Sequence, residues 1–285
     1  MSKGFLVFAQ NNNKVDYVKL AYALALSIKH TQKSWNNISV AVTPGTRVPE
    51  KYKKVFDKII EIPWEDDAST SEWKLENEWK AYHITPYEET IKLEADMILP
   101  EDITHWWKIL STREIVVTSN IINIQNQPTK SLVYRPGFKE NGVEPLYSAF
   151  MYFKKSTLGL DFFKMAEIIT WNWETFYWKY MPEKSPKIYS TDTTYSLAAK
   201  LLDEVENIKS PWVEWPAFVH AKTGLTDWNK NIQNENWDEI TPFSITPKLE
   251  CFIGPYRMFY PVHYHLKHVM KDEYISFYEE ALGIE

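Results

Sequence analysis

Short apolar runs that stop at turn residues alternate with amphipathic stretches through the first hundred residues. That alternation restricts the fold more than any other feature. Residues 4–9 (GFLVFA) are an apolar run closed by Gln10 and three asparagines, which predicts a strand entering a loop. Across 17–29, Tyr17, Val18, Leu20, Ala21, Leu24, Ala25 and Ile28 recur at three- and four-residue spacing, the period of a helix. Residues 38–42 (ISVAV) predict a second strand, stopped by Thr43, Pro44 and Gly45. A short helix suits 49–56, and a third strand suits 58–62, ended by Pro63. Residues 72–82 are helical in character, and 90–99 (TIKLEADMIL) predict a strand that Pro100 terminates. Strands separated by helices in this order predict a parallel sheet with right-handed crossovers, an α/β nucleotide-binding architecture with helices on both faces.

The second half is less regular. Residues 114–119 and 149–153 read as further strands, 161–180 as one long aromatic-rich helix, and 192–206 as another. Pro182, Pro186, Pro211 and Pro216 punctuate the stretches between and after them. With no internal repeat and no sharp change of composition, the expected organisation is one domain over 1–230 and a C-terminal extension over 231–285 packed on it.

Composition narrows the function classes. The net charge of −6 argues against non-specific nucleic-acid binding, which would show a basic excess. Only 8 of 285 residues are glycine, so glycine-rich phosphate loops have little material to work with. Aromatics reach 15%, more than caps and turns require, so some are available as stacking surfaces. The single cysteine, Cys251, excludes an internal disulfide framework and any multi-cysteine metal site, and suits a small buried hydrophobe. The opening MSKGFLVFAQNNN is too short an apolar stretch for a signal peptide. No run approaches the roughly 18 apolar residues of a membrane span. The expectation is a soluble cytoplasmic protein.

The most informative segment is 93–97 (LEADM). Glu94 and Asp96 lie two apart at the end of an apolar run, and in a strand such residues share a side. Ligands of open α/β sheets gather at the carboxyl ends of strands. Two carboxylates there suit a hard divalent cation that also grips a diphosphate; a solvated acidic pair has the same sequence. No Walker-type lysine follows a glycine loop, so a P-loop ATPase is not supported. His220 closes the apolar stretch 215–219 and offers a third ligand, although a core histidine fits that position too. Lys222, just beyond it, supplies a cation for a phosphate.

In order along the chain come a strand, an Asn-rich loop, Tyr17, Ala21, Leu24 and Ser27 at the spacing Y-x-x-x-A-x-x-L-x-x-S, then KLEAD at 92–96, YSAFMYFKKS at 147–156, Asp192, and VHAKTGLTDW at 219–228. This series resembles the GT-A glycosyltransferases of the glycogenin and lipopolysaccharide-galactosyltransferase kind, over roughly residues 4–228. The resemblance implies a GT-A-like, Rossmann-type sheet that binds a nucleotide sugar, UDP-linked in many such enzymes, through Mn²⁺ or Mg²⁺. It implies that Glu94, Asp96 and His220 hold the metal. Ala9, Gln10, Asn11, Tyr17, Lys80, Glu94 and Ala95 would bind the donor, with Tyr17 stacking on the base, and Lys222 would neutralise the leaving diphosphate. Asp192 would lie near the reacting sugar, as hydrogen-bond acceptor or base; taken alone, it also suits a helix N-cap. The sequence departs from the family in Glu94 for the first Asp, in Ser148-Ala149-Phe150 for a glycine-containing strand, and in Thr226-Asp227-Trp228 for Lys-Pro-Trp.

The implied activity is hexosyl or pentosyl transfer to an acceptor hydroxyl on a saccharide, a lipid-linked glycan, or a modified base in phage-type DNA, with the C-terminal extension reaching the acceptor. Trp171, Trp173, Phe176, Tyr177, Trp178 and Tyr180 crowd one predicted helix, either packing or stacking on an acceptor. From 251 to 271 there is no acidic residue, while Arg257, His263, His265, Lys267, His268 and Lys271 fall within it. Such a strip suits a phosphate-bearing acceptor or a plain solvated face. A nucleotidyltransferase would show a glycine- and arginine-rich first loop, which Gln10 to Asn13 lacks. A non-catalytic carbohydrate- or nucleic-acid-binding protein on the same fold is the alternative from another class.

Overall fold

The computed structural model describes residues 2–129, 135–212, 215–222, 234–239 and 241–284. Its strands run in chain order β1 (Lys3–Phe8), β2 (Ile38–Val42), β3 (Lys58–Glu61), β4 (Glu89–Glu94), β5 (Met97–Ile98), β6 (Ile115–Thr118) and β7 (Asn120–Ile122). They continue with β8 (Pro128–Thr129), β9 (Tyr147–Lys154), β10 (Ala217–His220), β11 (Phe243–Ile245), β12 (Cys251–Ile253), β13 (Tyr256–Arg257) and β14 (Val262–His263). The helices are α1 (Tyr17–Thr31), α2 (Glu50–Lys53), α3 (Ala81–Ile84), α4 (Trp106–Leu110), α5 (Pro136–Glu140), α6 (Thr157–Trp171), α7 (Trp173–Tyr180), α8 (Thr191–Leu201), α9 (Val205–Ile208) and α10 (Asp272–Leu282).

The main sheet has the order β3-β2-β1-β4-β9-β6. Its first four strands are parallel, as the alternating sequence predicts. β9 and β6 run antiparallel, so the sheet is mixed rather than wholly parallel. Both faces are covered. Phe5 and Val7 of β1 join one apolar cluster with α1, and Leu6 and Phe8 join the other with α6 and α8, following the two-residue period of a strand. A second sheet, β5-β14-β10-β7-β8, and a small antiparallel one, β11-β12-β13, complete the described fold. No helix among the described residues is long and apolar enough to cross a membrane.

α1 starts where Asp16 accepts a hydrogen bond from the Lys19 N–H, and Lys29 in its last turn complements the helix dipole. It is buried on nearly every side, with alanines at 21, 23 and 25 that let neighbours approach closely. Ser27 donates to the Leu24 carbonyl at 2.7 Å and accepts the Leu99 N–H at 3.1 Å, fastening the helix to the segment that follows the carboxylates. α10 packs on α1, where the Tyr22 hydroxyl donates to Glu279 at 2.9 Å. Residues of the expected C-terminal extension thus supply β14, set between β5 and β10, and α10.

Several elements differ from expectation. The single strand over 90–99 is two: β4 ends at Glu94, Ala95 and Asp96 turn, and β5 enters the other sheet. The helix over 72–82 is confined to a 3₁₀ turn at Glu78–Lys80 and α3, because Lys74 at φ +57° breaks any earlier start. The long helix over 161–180 begins earlier, at the Ser156 cap, and breaks at Asn172 (φ −130°, ψ 30°) into α6 and α7. The helix over 192–206 ends at Leu201, Asp203 turning at φ +60° before α9. Cys251 is fully buried in the core.

Candidate functional site

The turn at Ala95 and Asp96 carries the chain from one sheet to the other, and the two carboxylates converge because of that turn. They do not share one strand, as the sequence spacing implied. β14 pairs antiparallel with β5, placing His263 opposite Met97, and the Tyr264 N–H donates to the Asp96 carbonyl at 3.2 Å. This register brings His263 Nε2 to 3.0 Å from Glu94 Oε2 and 3.2 Å from Asp96 Oδ1. Lys267 Nζ meets the other Asp96 oxygen at 2.7 Å. β10 pairs with β14 so that His220 lies opposite His263.

A line of charge extends across the site from these contacts. The Ser148 hydroxyl donates to Glu94 Oε1 at 3.0 Å, and the Ser148 N–H donates to Asp192 Oδ1 at 2.6 Å. Arg135 is ion-paired with the other Asp192 oxygen. Behind Ser148, Lys92 Nζ lies 2.6 Å from Glu78 and 3.2 Å from the Ser148 carbonyl, a buried pair that fixes the strand's position.

Electrostatics follow from this packing. Burial alone would raise Asp96, but the His263 imidazolium and the Lys267 ammonium outweigh it and hold the carboxyl well below the usual range. Glu94 is lowered against burial chiefly by His263. Burial would lower His263, yet Asp96 and Glu94 push it up to about 9. Burial, reinforced by the positive charge of His263, pushes His220 and His265 well below the ordinary histidine value, so both rings are neutral. Burial lifts Glu78 to about 7 despite Lys92.

These groups surround a cleft of about 370 Å³. Of the residues singled out from sequence, Gln10, Tyr17, Glu94, Ala95, Asp96, Asp192, His220 and Lys222 line it. Three lie elsewhere. Ala9 is buried at the end of β1, its N–H donating to the Ala41 carbonyl. Asn11 accepts the Val18 N–H and donates to Asp16, shaping the start of α1. Lys80 is buried behind the wall, 2.7 Å from Asn77 and 3.2 Å from Asp67; Asn77 in turn donates to Gln10 at 2.9 Å. Lys80 therefore reaches the cleft through Gln10 rather than directly. Residues 223–228 lie outside the described residues. The N-cap of α8 is Ser190, which accepts from the Thr193 N–H, so Asp192 is not the cap and its carboxylate is free for Arg135 and Ser148.

His263, His265 and Lys267 are cleft residues that sequence reasoning assigned only to a basic strip. Sequence spacing carries no clear signal for them: β14 ends at His263, and His265 follows it at φ +59°, its ring centroid 3.6 Å from that of His263. The rest of that strip is spent elsewhere: Arg257 pairs with Glu101 and Glu250, and His268 with Asp238. Trp73 and Ile188, both more than half exposed, form part of the rim. The aromatics of α7 stay off the cleft lining, and Trp171 packs edge-on against Trp79 at 5.8 Å.

The donor set fits a divalent cation. Glu94, Asp96 and His263 present ligand atoms within 4.8 Å of one another, and so do His220, His263 and His265. Two carboxylates and an imidazole are ligands for Mn²⁺-like ions. The expected third ligand, His220, groups with the other histidines, and His263 is the ring that stands against the carboxylates.

Fold and cleft together define a mixed α/β protein with a carboxylate–histidine cluster at the carboxyl end of a central parallel strand. Among solved structures it is similar to the galactosyltransferase LgtC in complex with donor and acceptor sugar analogues, with TM-score 0.45 and 12% identity over 68% of this chain and 70% of that one. It is also similar to mouse xyloside xylosyltransferase 1, with TM-score 0.45 and 12% identity over 72% and 83% of the two chains. A third likeness is to the glycosyltransferase GlyE of Streptococcus pneumoniae, with TM-score 0.42 and 10% identity over 72% of this chain and 44% of that one. No protein-family model and no curated protein matches the sequence.

Proposed function

We propose that the protein is a metal-dependent glycosyltransferase that moves a sugar from a nucleotide-diphosphate donor to an acceptor hydroxyl. The observation that carries this reading is the convergence in one cleft of Glu94, Asp96, His263, two lysines and the Tyr17 ring. A divalent ion held there would supply positive charge for the diphosphate oxygens.

The chain's own residues divide the remaining work. Tyr17 would offer its ring to the base, and Lys267 Nζ stands 6.0 Å from the ring centroid. Lys222 and Lys267, which both line the cleft, would neutralise charge growing on the leaving diphosphate. Asp192 is lowered because Arg135 and the Ser148 N–H outweigh its burial. A carboxylate so stabilised is a weak base, and its role in this reading is to accept a hydrogen bond from a sugar hydroxyl. The neighbouring Trp73 and Ile188 give the acceptor an apolar rim. The acceptor is a saccharide, a lipid-linked glycan or a hydroxylated base, and the donor is UDP-linked in the leading form of the proposal.

The test is a thermal melt with a panel of nucleotide diphosphates and nucleotide sugars, each with and without Mn²⁺. A ligand at 100 times its Kd stabilises the native state by about 2.7 kcal/mol, a rise on the order of 5 °C for a chain of this size. The expected result is such a rise with one base only, dependent on the cation. No shift with any donor overturns the proposal.

A further inference from the structure

Three histidines meet beside the carboxylates, and two of them present ring nitrogens that nothing described satisfies. His220 and His263 sit opposite each other at the ends of paired strands. Two residues on, His265 has φ +59°, in the left-handed region that non-glycine residues seldom adopt, though histidine does so more readily than most. Its ring centroid lies 3.6 Å from that of His263 and 4.4 Å from that of His220. One ring nitrogen from each of the three falls within 4.8 Å of the others. His263 Nδ1 and His265 Nε2 are buried without a hydrogen-bond partner among the described residues, an arrangement that costs free energy unless something fills the gap.

The orientation of His263 says what fills it. Its Nε2 is turned to Glu94 and Asp96, leaving Nδ1 as the unpartnered atom. An imidazole that gives one ring N–H to a carboxylate has its plane fixed and its opposite nitrogen made more basic, which is how metal-binding histidines are commonly oriented. We propose that His220, His263 and His265 form a nitrogen-ligated cation site of their own, with an open fourth position. It takes a borderline transition ion of the Zn²⁺ or Co²⁺ class, which displaces the Nδ1 proton of the His263 imidazolium to solvent on binding, with Glu94 and Asp96 as the hydrogen-bond acceptors that orient the ring. Three imidazoles suit such an ion and do not suit Mg²⁺. With Nε2 donating to the carboxylates and Nδ1 on this ion, His263 is no ligand of the cleft-side ion, which Glu94 and Asp96 would hold alone through their remaining lone pairs. This site goes beyond the glycosyl-transfer reading and does not depend on it.

Two measurements test it on the full chain without nucleotide. Zinc K-edge absorption of the protein loaded with one equivalent of Zn²⁺ is expected to show scattering from three imidazole rings. A shell of two rings or fewer overturns the site, and needs no variant to do so. In parallel, Co²⁺ is titrated into the wild type and His265→Gln, with visible absorption as the readout. The variant is expected to bind Co²⁺ at least about tenfold more weakly, and equal affinity and an unchanged spectrum overturn the assignment. If the nucleotide melts fail while the three-ring shell is seen, the glycosyl-transfer reading falls and this one stands.

Discussion

Glu94 is held from two sides, by His263 on one oxygen and by the Ser148 hydroxyl on the other, and neither contact tolerates a shorter side chain. Ser148→Ala removes one of them while leaving the backbone N–H that supports Asp192. Second-layer contacts of this kind are worth about 10–100-fold in metal affinity, so Mn²⁺ titration by calorimetry should find weakening in that range with an unchanged melting temperature. Asp96→Asn keeps the size of the side chain and removes the charge that faces His263 and Lys267. It should abolish the Mn²⁺-dependent nucleotide shift with the fold retained in circular dichroism, and an unchanged shift would remove Asp96 from the site. At this scale the carboxylates stood out from sequence only in combination: E-x-D at the end of an apolar run also fits a solvated acidic pair, and its place in an ordered series of motifs is what singled it out. The sequence concealed Arg135 and Ser148, whose roles come from contacts across 57 and 54 residues of chain. Spacing rules say nothing about pairings at that range.

Elements with a strong period were legible, and those shaped by tertiary contacts were not. Residues 38–42 match β2, and the helix read over 17–29 is α1 short of two residues, because a regular apolar period and clear stop signals agree there. The division of 90–99 into β4 and β5 was hidden because its apolar character runs through the break; only the β5–β14 pairing requires the turn. The same pairing explains why His263 was missed as the partner of the carboxylates. α1 gives the element-scale test. Leu24 is fully buried within the core cluster beside the sheet, so Leu24→Ala should cost about 2–5 kcal/mol. Urea denaturation reads this as a lower midpoint at an unchanged slope. A loss below about 1 kcal/mol would mean that the helix is not packed as described.

Across the whole molecule, the network through Ser148 links stability to acidity. The folded Asp192 carboxyl lies below its unfolded value, since Arg135 and the Ser148 N–H outweigh burial. The unfolded chain therefore takes up the proton first as pH falls. The stabilisation is complete above the unfolded value of about 3.9 and is lost as pH drops through that value towards the folded one. Melting curves from about pH 5 to pH 3 should fall less steeply for Asp192→Asn than for the wild type; parallel curves would show that the Arg135 pair does not operate in solution. The overall α/β plan with helices on both faces was legible from alternation. The mixed main sheet and the second sheet were not, because strands of two or three residues carry no measurable period.

The placement of β14 bears on the order in which the molecule is made. Glu94 and Asp96 leave the ribosome more than 160 residues before His263, His265 and Lys267 do. Over that interval the parallel strands β1 to β4 and helix α1 are already available to assemble, while the carboxylates have none of their positive partners from β14 onward. The carboxylate–histidine cluster thus cannot assemble before residue 267 has been made. A product of premature termination near residue 230 would carry the acidic pair and a large part of the core, without His263, His265 or Lys267 beside the pair.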